Sequence, residues 1–294
     1  MNKRVLVTGG NGALGARLVP LLQARGHEVL VLGREPHALL HNVTYIHADI
    51  TQKDDLEKKL ASVEFDTVLH LAGVTHTHDP QLYFKVNADG TRNLVDVCKH
   101  RKVLRFFYMS SRAAERGGGA YAKSKIIAER IVESSGLDWI ILRPAEVYGA
   151  GSEAILSLAR HMQKYHLAPM LGDGSSAVAP VWVDDVLQAT VQTIDSAVAK
   201  RTYTIAGPQE FTYNDVVDVM AKTLHLRALK VHIPIFVMRI LAAIAKRVGS
   251  SIIVDDQIDR LMVKKDADIS EARRDLGFNP LPLAEGLKKI TLQR

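Results

Sequence analysis

The segment that most constrains the fold lies near the N-terminus, where an apolar run leads through a glycine-rich turn into a helical pattern. Residues 4–7 (Arg-Val-Leu-Val) precede the turn 8–15 (Thr-Gly-Gly-Asn-Gly-Ala-Leu-Gly). Gly9 suits a positive φ, Gly12 lets backbone approach a phosphate, and Gly15 lets a helix pack closely on a strand. Because a helix N-terminus offers unpaired N–H groups, the turn predicts a site for the pyrophosphate of a dinucleotide. An ordinary tight turn between strand and helix is the alternative.

Three side chains in the middle of the chain predict acid–base chemistry. Tyr121 and Lys125 are spaced i and i+4 in a helical pattern, so they share one helix face, where an ammonium favours the phenolate form. Upstream, the apolar run 106–109 ends in Ser110 and Ser111, which puts a hydroxyl at the carboxyl end of a strand, where open α/β sheets hold ligands. A surface helix pair and a strand terminator are the structural alternatives. The joint occurrence of Ser111, Tyr121 and Lys125 after the glycine turn favours a catalytic set.

With these motifs, the chain resembles the short-chain dehydrogenase/reductase superfamily, in particular its extended and atypical members, which include epimerases, dehydratases and related reductases. The resemblance runs nearly end to end, and its motifs follow in the family's order. The further segments that carry it are 48–50, 70–73, 86–94, 142–149, 172–174, 181–186, 268–270 and 276–280.

The resemblance implies a nicotinamide cofactor and hydride transfer at a carbonyl or secondary alcohol, alone or within an epimerase or dehydratase cycle. Tyr121 would be the general acid and base, Lys125 would lower the tyrosine pKa and bind the ribose, and Ser111 would orient the substrate oxygen. Asn87 would support this catalytic set. The implied cofactor contacts are Gly9, Asn11, Gly12, Ala13, Leu14, Gly15, Arg34, Asp49, Ile50, Leu71, Ala72, Gly73, Tyr121, Lys125, Pro144 and Val147.

Two departures from the nucleotide-sugar members bear on the substrate. The segment between Ser111 and Tyr121 is short, and residues 175–180 lack the arginine that those members usually carry for the sugar nucleotide's diphosphate. We therefore expect a small or moderately apolar carbonyl or alcohol substrate, with Ile235, Phe236 and Met238 contributing to its pocket. The alternative function is a nucleotide-binding scaffold or redox sensor without turnover, like an accessory subunit of respiratory complex I.

The second predicted strand ends in Gly33 and Arg34, where an NAD site of this type usually carries an acid for the ribose hydroxyls. Arg34 offers a permanently charged, planar fork to phosphate oxygens. This favours NADP over NAD as the cofactor. The alternative is that Arg34 stacks over the adenine or points to solvent.

Alternating strand and helix patterns predict an α/β fold, a doubly wound parallel Rossmann sheet with a smaller C-terminal substrate lobe. The chain of 294 residues, 47% of them hydrophobic, is long enough for both. We place the NAD(P)-binding domain at residues 1–206, with the loop 149–179 contributing to the substrate cleft, and the substrate-binding lobe at 207–294. The predicted sheet strands are 4–8, 29–32, 44–47, 67–71, 105–109, 139–142 and 203–206.

Composition narrows the partners. The net charge of +6 is spread over mixed-sign helices and only 6% of residues are aromatic, so we expect no nucleic acid partner. The single cysteine and the histidine spacing predict neither a disulfide nor a metal site. The apolar run 233–245 is too short to span a bilayer and predicts a buried helix of the lobe, with an apolar substrate wall or a membrane-surface helix as alternatives. A strand that starts this early leaves no room for a signal peptide, so we expect a cytoplasmic enzyme.

Overall fold

A computed structural model of the chain describes residues 2–35, 40, 42–114, 117–248, 254–263 and 266–290. The strands are β1 (Arg4–Thr8), β2 (Glu28–Gly33), β3 (Thr44–His47), β4 (Thr67–His70), β5 (Arg105–Met109), β6 (Asp138–Pro144), β7 (Val147–Tyr148), β8 (Leu167–Leu171), β9 (Ala177–Val178), β10 (Val181–Trp182), β11 (Arg201–Ile205), β12 (Phe211–Thr212) and β13 (Leu229–Ile233).

The helices alternate with these strands through most of the chain. A π-helical segment, Phe84–Asp89, runs between the third and fourth of them. The helices are α1 (Gly15–Ala24), α2 (Lys53–Leu60), α3 (Pro80–Tyr83), α4 (Gly90–His100), α5 (Gly119–Glu133), α6 (Glu153–Tyr165), α7 (Val183–Asp195), α8 (Tyr213–Thr223), α9 (Ile235–Arg247), α10 (Asp255–Met262), α11 (Ser270–Leu276) and α12 (Leu283–Lys288).

The centre of the molecule is a seven-stranded sheet in the order β11-β6-β5-β4-β1-β2-β3. Every neighbouring pair in it is parallel. The chain winds one way from β1 to β3 and the other way from β4 onward, so the order reverses between β1 and β4. Ligands of doubly wound sheets bind in the crevice at such a reversal. The predicted fold class is confirmed.

Helices cover both faces of the sheet, which explains why its central strands are continuously apolar. Val5 and Val7 point to one face, where they pack with α1, α7 and α11, and Leu6 points to the other, where it packs with α2, α4 and α5. All three side chains are 0% exposed. The two-residue period of a strand therefore divides the core into two layers.

A third hydrophobic cluster forms the smaller lobe beside the carboxyl ends of the strands. It is built from α6, α8 and α12 together with three short strand pairs, β7 with β10, β8 with β13 and β9 with β12. Chain segments both before and after β11 therefore contribute to it. The boundary at residues 206 and 207 stays a prediction.

The prediction of a buried helix within 233–245 is wrong. Within α9, which the structure describes in full, Ala242 is the buried residue. Phe236, Ile240 and Ile244 are 67%, 55% and 52% exposed. Arg239 forms ion pairs with two aspartates of α10, so α9 turns this residue toward its neighbour and leaves Phe236, Ile240 and Ile244 facing outward. Along the described residues, no helix has both the length and the apolar content needed to cross a bilayer.

Replacing Gly15 with alanine should destabilise the fold, because a Cβ there would lie 2.6 Å from the Cα of Gly10 and would also contact the Gly9 carbonyl oxygen. Backbone cannot move aside as a flexible side chain can, so we expect a loss of about 1–3 kcal/mol in the free energy of unfolding. Chemical denaturation measures it. Gly12→Ala is the matched control, since its Cβ would meet the Gly9 oxygen at 3.2 Å. Equal stabilities for both variants would contradict the packing account.

Candidate active site

The glycine turn after β1 and the loop after β4 meet at the point where the strand order reverses. Gly9 has a φ of +71°, and a Cβ on it would lie 2.7 Å from the backbone nitrogen of Ala72. The Gly12 N–H donates to the Gly9 carbonyl at 3.0 Å and closes the turn. A cleft of about 240 Å³ opens beside it. The predicted cofactor residues that line this cleft are Gly9, Asn11, Gly12, Arg34, Asp49, Ile50, Ala72 and Gly73.

The residues around this cleft fit a dinucleotide. The turn presents backbone and no side chain at Gly9 and Gly12, next to the N-terminus of α1, as a pyrophosphate requires. Gly73 is equally constrained, because a Cβ there would lie 3.0 Å from Oδ1 of Asn87 and 3.5 Å from Nζ of Lys125. The loop after β4 can therefore run directly beside these two side chains.

The other predicted cofactor residues lie around the cleft or outside it. Ala13 is exposed, Leu14 precedes α1 and Gly15 is buried against the turn. Leu71 donates its N–H to the Thr8 carbonyl at 3.1 Å, which extends the β4 edge of the crevice. Two more, Pro144 and Val147, line a second cavity instead.

A buried chain of hydrogen bonds connects the glycine turn to the π-helical segment. Thr91 Oγ1 donates its one proton to the Asn87 carbonyl, so it accepts from His70 Nε2 at 2.9 Å. Nδ1 of the neutral imidazole then accepts from Thr8 Oγ1 at 2.6 Å, and Thr8 Oγ1 accepts from the Ala72 N–H. These partners define a neutral histidine that carries its proton on Nε2. Burial, with a smaller effect of the Lys125 charge, lowers the pKa of His70 to about 3.

Asn87 ties the loop after β4 to the start of α5. Its Oδ1 accepts from the Val74 N–H at 2.8 Å, and its Nδ2 donates to the Val74 carbonyl and to Ser124 Oγ, each at 3.0 Å. Ser124 Oγ in turn donates to the Tyr121 carbonyl at 2.7 Å. The Asn87 amide therefore links the loop after β4 to the helix that carries Tyr121. These hydrogen bonds are a physical basis for the supporting role predicted for Asn87.

The second cavity adjoins the cofactor cleft and has a volume of about 410 Å³, within the usual range for small-molecule pockets. The loop after β4 passes from one to the other, with Gly73 and Val74 in the cleft and Thr75 and His76 in the cavity. Ser111 and Tyr121 line it. Much of the remaining wall is apolar: Pro144, Ala145, Val147, Ile155, Val178, Pro180, Val216 and Leu261.

The expectation that Ile235, Phe236 and Met238 contribute to the pocket is not met. Phe236 is 67% exposed, and Ile235 lies beside Gly172. The C-terminal lobe reaches the described cavity through Val216 of α8 and Leu261 of α10 instead. The reason is the outward orientation of the apolar face of α9.

Lys125 is buried, and its ammonium is held by two hydrogen bonds within the protein. Its Nζ donates to Tyr108 Oη at 3.1 Å and to the Met109 carbonyl at 3.0 Å. Burial lowers the pKa of Lys125 to about 8, and the charge of Glu129 opposes that shift. Glu129 is itself buried and receives two hydrogen bonds from Arg143, at 2.8 and 2.6 Å. The site therefore holds a buried ammonium near a buried ion pair, that of Glu129 with Arg143.

The electrostatics of Tyr121 differ from the expectation that Lys125 lowers its pKa. Burial raises the pKa of Tyr121. The groups that oppose this shift are first the Arg260 guanidinium and then a hydrogen bond from Ser111, while Tyr83 and Asp256 raise the pKa further. The lysine is instead directed toward Tyr108 and the end of β5.

Two charged pairs at the cavity escaped the sequence reasoning. Arg112, directly after Ser111, is 3% exposed and donates to Glu146 at 2.8 Å. Arg260 and Asp256 of α10 form an i,i+4 ion pair beside Tyr121. The i,i+4 spacing was a visible signal for the second pair. Its proximity to Tyr121 was not, because it depends on how the C-terminal lobe packs.

A parallel Rossmann sheet with a glycine turn at its crevice, and with serine and tyrosine hydroxyls beside a buried lysine, is the arrangement of NAD(P)-dependent oxidoreductases of the short-chain type. The model of the NAD dependent epimerase/dehydratase family matches residues 5–206. The chain belongs to this family.

Individual relatives agree with this assignment. A 3-beta-hydroxysteroid dehydrogenase of Mycolicibacterium neoaurum is 27% identical, over 95% of this chain and 87% of the relative. A 2-alkyl-3-oxoalkanoate reductase of Stenotrophomonas maltophilia is 24% identical over 98% of each chain. The fold matches that of UDP-glucuronic acid 4-epimerase from Bacillus cereus, solved with UDP-glucuronic acid and NAD, with a TM-score of 0.75 at 22% identity, covering 97% of this chain and 96% of that one.

The family and the two sequence relatives make the chain an NAD(P)-dependent enzyme whose chemistry is of the oxidoreductase and epimerase type. They favour this function over a catalytically silent scaffold. The resemblance stated from the sequence motifs is confirmed.

Replacing the buried His70 with glutamine should flatten the dependence of stability on pH. The unfolded histidine takes up a proton below pH 6.5, whereas the folded one does so only near 3, so acidification through this window favours unfolding. This contributes about 1.4 kcal/mol per pH unit. Denaturation at several pH values between 6.5 and 4 should show a smaller slope in His70→Gln. The exposed His100→Gln is the matched control, and a His70→Gln slope equal to that of the wild type would contradict the neutral assignment.

Proposed function

We propose that the enzyme interconverts a carbonyl group and a secondary alcohol on a small or moderately apolar substrate bound in the cavity beside Ser111 and Tyr121. The observation that carries this proposal is that both hydroxyl groups line a single cavity adjoining the glycine-turn cleft. The substrate carbon can therefore face the cofactor while its oxygen faces the two hydroxyl groups.

Each residue then has a defined task. A bound nicotinamide cofactor supplies or accepts the hydride. Ser111 orients the substrate oxygen by hydrogen bonding, and Tyr121 Oη gives that oxygen a proton in reduction or takes it back in oxidation. Because burial raises the pKa of Tyr121, the phenol is protonated at neutral pH and ready to act as the acid. Lys125 holds the end of β5, next to Ser111, through the Met109 carbonyl.

The apolar wall of the cavity supports the substrate class. Val178, Val216 and Leu261 suit hydrocarbon, and both guanidinium groups in the wall, those of Arg112 and Arg260, are paired with a carboxylate. Residues 175–180 contain no arginine. The relatives named as acting on a hydroxysteroid and on a 2-alkyl-3-oxoalkanoate also have carbonyl or alcohol substrates with apolar parts. We also propose a homodimer, formed through the helices that begin near Leu82 and Tyr121 as in extended members of the family, and a cytoplasmic location.

Replacing Tyr121 with phenylalanine should reduce turnover of an apolar ketone by at least about 100-fold, because the proton donor is lost. Binding of the reduced cofactor, followed by its fluorescence, should persist. Tyr213→Phe is the matched control, because Tyr213 lines the same cavity. Turnover that survives in Tyr121→Phe, or a bound cofactor that never changes redox state over a range of ketones and alcohols, would refute the proposed reaction.

The choice of cofactor depends on two neighbouring side chains of opposite charge. Arg34 and Glu35 both line the cleft. A Cβ on Gly33 would lie 3.1 Å from Oε2 of Glu35, so this carboxylate occupies the end of β2, where Gly33 itself has no side chain. Hydrogen bonds from its own backbone and from Asn11 lower the pKa of Glu35, so it is ionised. We propose that Arg34 favours NADP by binding the 2′-phosphate and that Glu35 opposes it.

Two single substitutions separate these contributions. Arg34→Ala should weaken NADP binding more than NAD binding, by about 1–3 kcal/mol for the loss of a charged hydrogen bond. Glu35→Gln should strengthen NADP binding relative to NAD, because it removes the repulsion while keeping the shape. Calorimetric titration of all three proteins with both cofactors measures the ratios. A wild-type preference for NAD, or equal losses for both cofactors in Arg34→Ala, would overturn the assignment.

A further inference from the structure

The start of α5, which carries Tyr121, is covered by α10 of the C-terminal lobe. Three contacts, made by two residues one helical turn apart, define this arrangement. The Arg260 guanidinium lies 4.4 Å from the centroid of the Tyr121 ring. Its Nη2 donates to the Thr75 carbonyl at 3.2 Å. Asp256 Oδ1 accepts from the Tyr121 N–H at 3.1 Å. One helix therefore contacts both the ring and the backbone of the residue that exchanges the proton.

Arg260 and Asp256 are shielded from solvent. Their side chains are 13% and 11% exposed, and Arg260 Nε lies 3.2 Å from Asp256 Oδ2. Water and salt screen buried charges weakly, so a guanidinium over the ring face strongly stabilises negative charge on the phenol oxygen. The aspartate offsets part of this charge and fixes where it sits.

The glycine that begins α5 makes room for this contact. Gly119 has a φ of +80°, and a Cβ there would lie 3.0 Å from Cγ of Asp256 and would contact its Oδ1. A side chain at this position would therefore displace the Asp256 carboxylate from the Tyr121 N–H.

Other polar and titratable groups also lie around Tyr121. Tyr83 packs edge-on with a centroid distance of 5.7 Å, and Lys125 follows one turn later on α5. The same cavity is lined by Ser111, His76, Arg112 and Glu146. Of all the groups around the phenol, Arg260 has the largest effect in lowering the pKa of Tyr121, and burial opposes this effect.

We propose that Arg260 is a positioning residue of the reaction: from the C-terminal lobe it fixes the Tyr121 ring and stabilises its phenolate, and Asp256 holds it there. The inference rests on the proposed acid–base role of Tyr121. Arg260 then stabilises the Tyr121 phenolate, which is the role that the sequence motif alone assigns to Lys125. Arg260→Met should therefore move the protonation midpoint of Tyr121 to higher pH.

The test places a difluorotyrosine at position 121 and follows its ¹⁹F signal against pH. Fluorine lowers the phenol pKa into a range where the fold survives, and the single label reports one residue without needing a substrate. Arg260→Met should raise the midpoint by roughly one pH unit. Arg239→Met is the matched control, because Arg239 also pairs with α10, through Asp255 and Asp259, without contacting the Tyr121 ring. It should leave the midpoint in place.

Arg260→Lys, which keeps the charge without the planar fork, should give a midpoint between those of the wild type and Arg260→Met. If Arg260→Met is not folded by circular dichroism, Arg260→Gln replaces it in the same comparison. An unchanged midpoint on loss of the Arg260 charge, or an equal shift in Arg239→Met, overturns the inference. A shifted midpoint in a protein that turns over no carbonyl or alcohol would instead support the electrostatic role and refute the proposed function.

Discussion

The close approach of two backbone segments at the centre of the sheet is the constraint on which the rest of the site depends. The turn after β1 can touch the loop after β4 only because Gly9 has no side chain to meet the nitrogen of Ala72. That contact closes the crevice where the strand order reverses. The register of β1 with β4 places Thr8 directly beside His70, which begins the buried hydrogen-bond chain that leads to Asn87. The cofactor cleft and the support of α5 thus both start where β1 pairs with β4.

The site is also notable for the charges that it keeps out of water. Burying an ionisable group is unfavourable unless it is paired or neutral, and both solutions occur here. His70 is neutral between two threonines, whereas Lys125 is held by Tyr108 and the Met109 carbonyl with Glu129 and Arg143 behind it. Arg260 lies with Asp256 over Tyr121. A small apolar cavity is therefore surrounded by fixed charges, which need little reorganisation when a proton moves.

Short sequence patterns predicted the features that are determined by residues close together in the chain. The strands, the glycine turn and the cavity position of Ser111 and Tyr121 follow from residue spacing and from the geometry of parallel sheets. The orientation of α9 did not, because an amphipathic pattern shows that a helix has two faces and not which one meets a partner. The contact between Arg260 and Tyr121 joins residues far apart in the chain, and the carboxylate of Glu35 reaches the end of β2 only in the folded loop.

The central claim is that a hydride moves between the cofactor and a carbon atom in the cavity that Ser111 and Tyr121 line. The most direct measurement uses reduced nicotinamide cofactor that carries deuterium at C4, incubated with a series of apolar ketones, with the products analysed by mass spectrometry. The account predicts an alcohol with one deuterium on the former carbonyl carbon, and no such label when the deuterium is supplied only by solvent. A cofactor that stays bound and keeps its deuterium with every ketone, or carbon-bound deuterium derived from solvent, would contradict it.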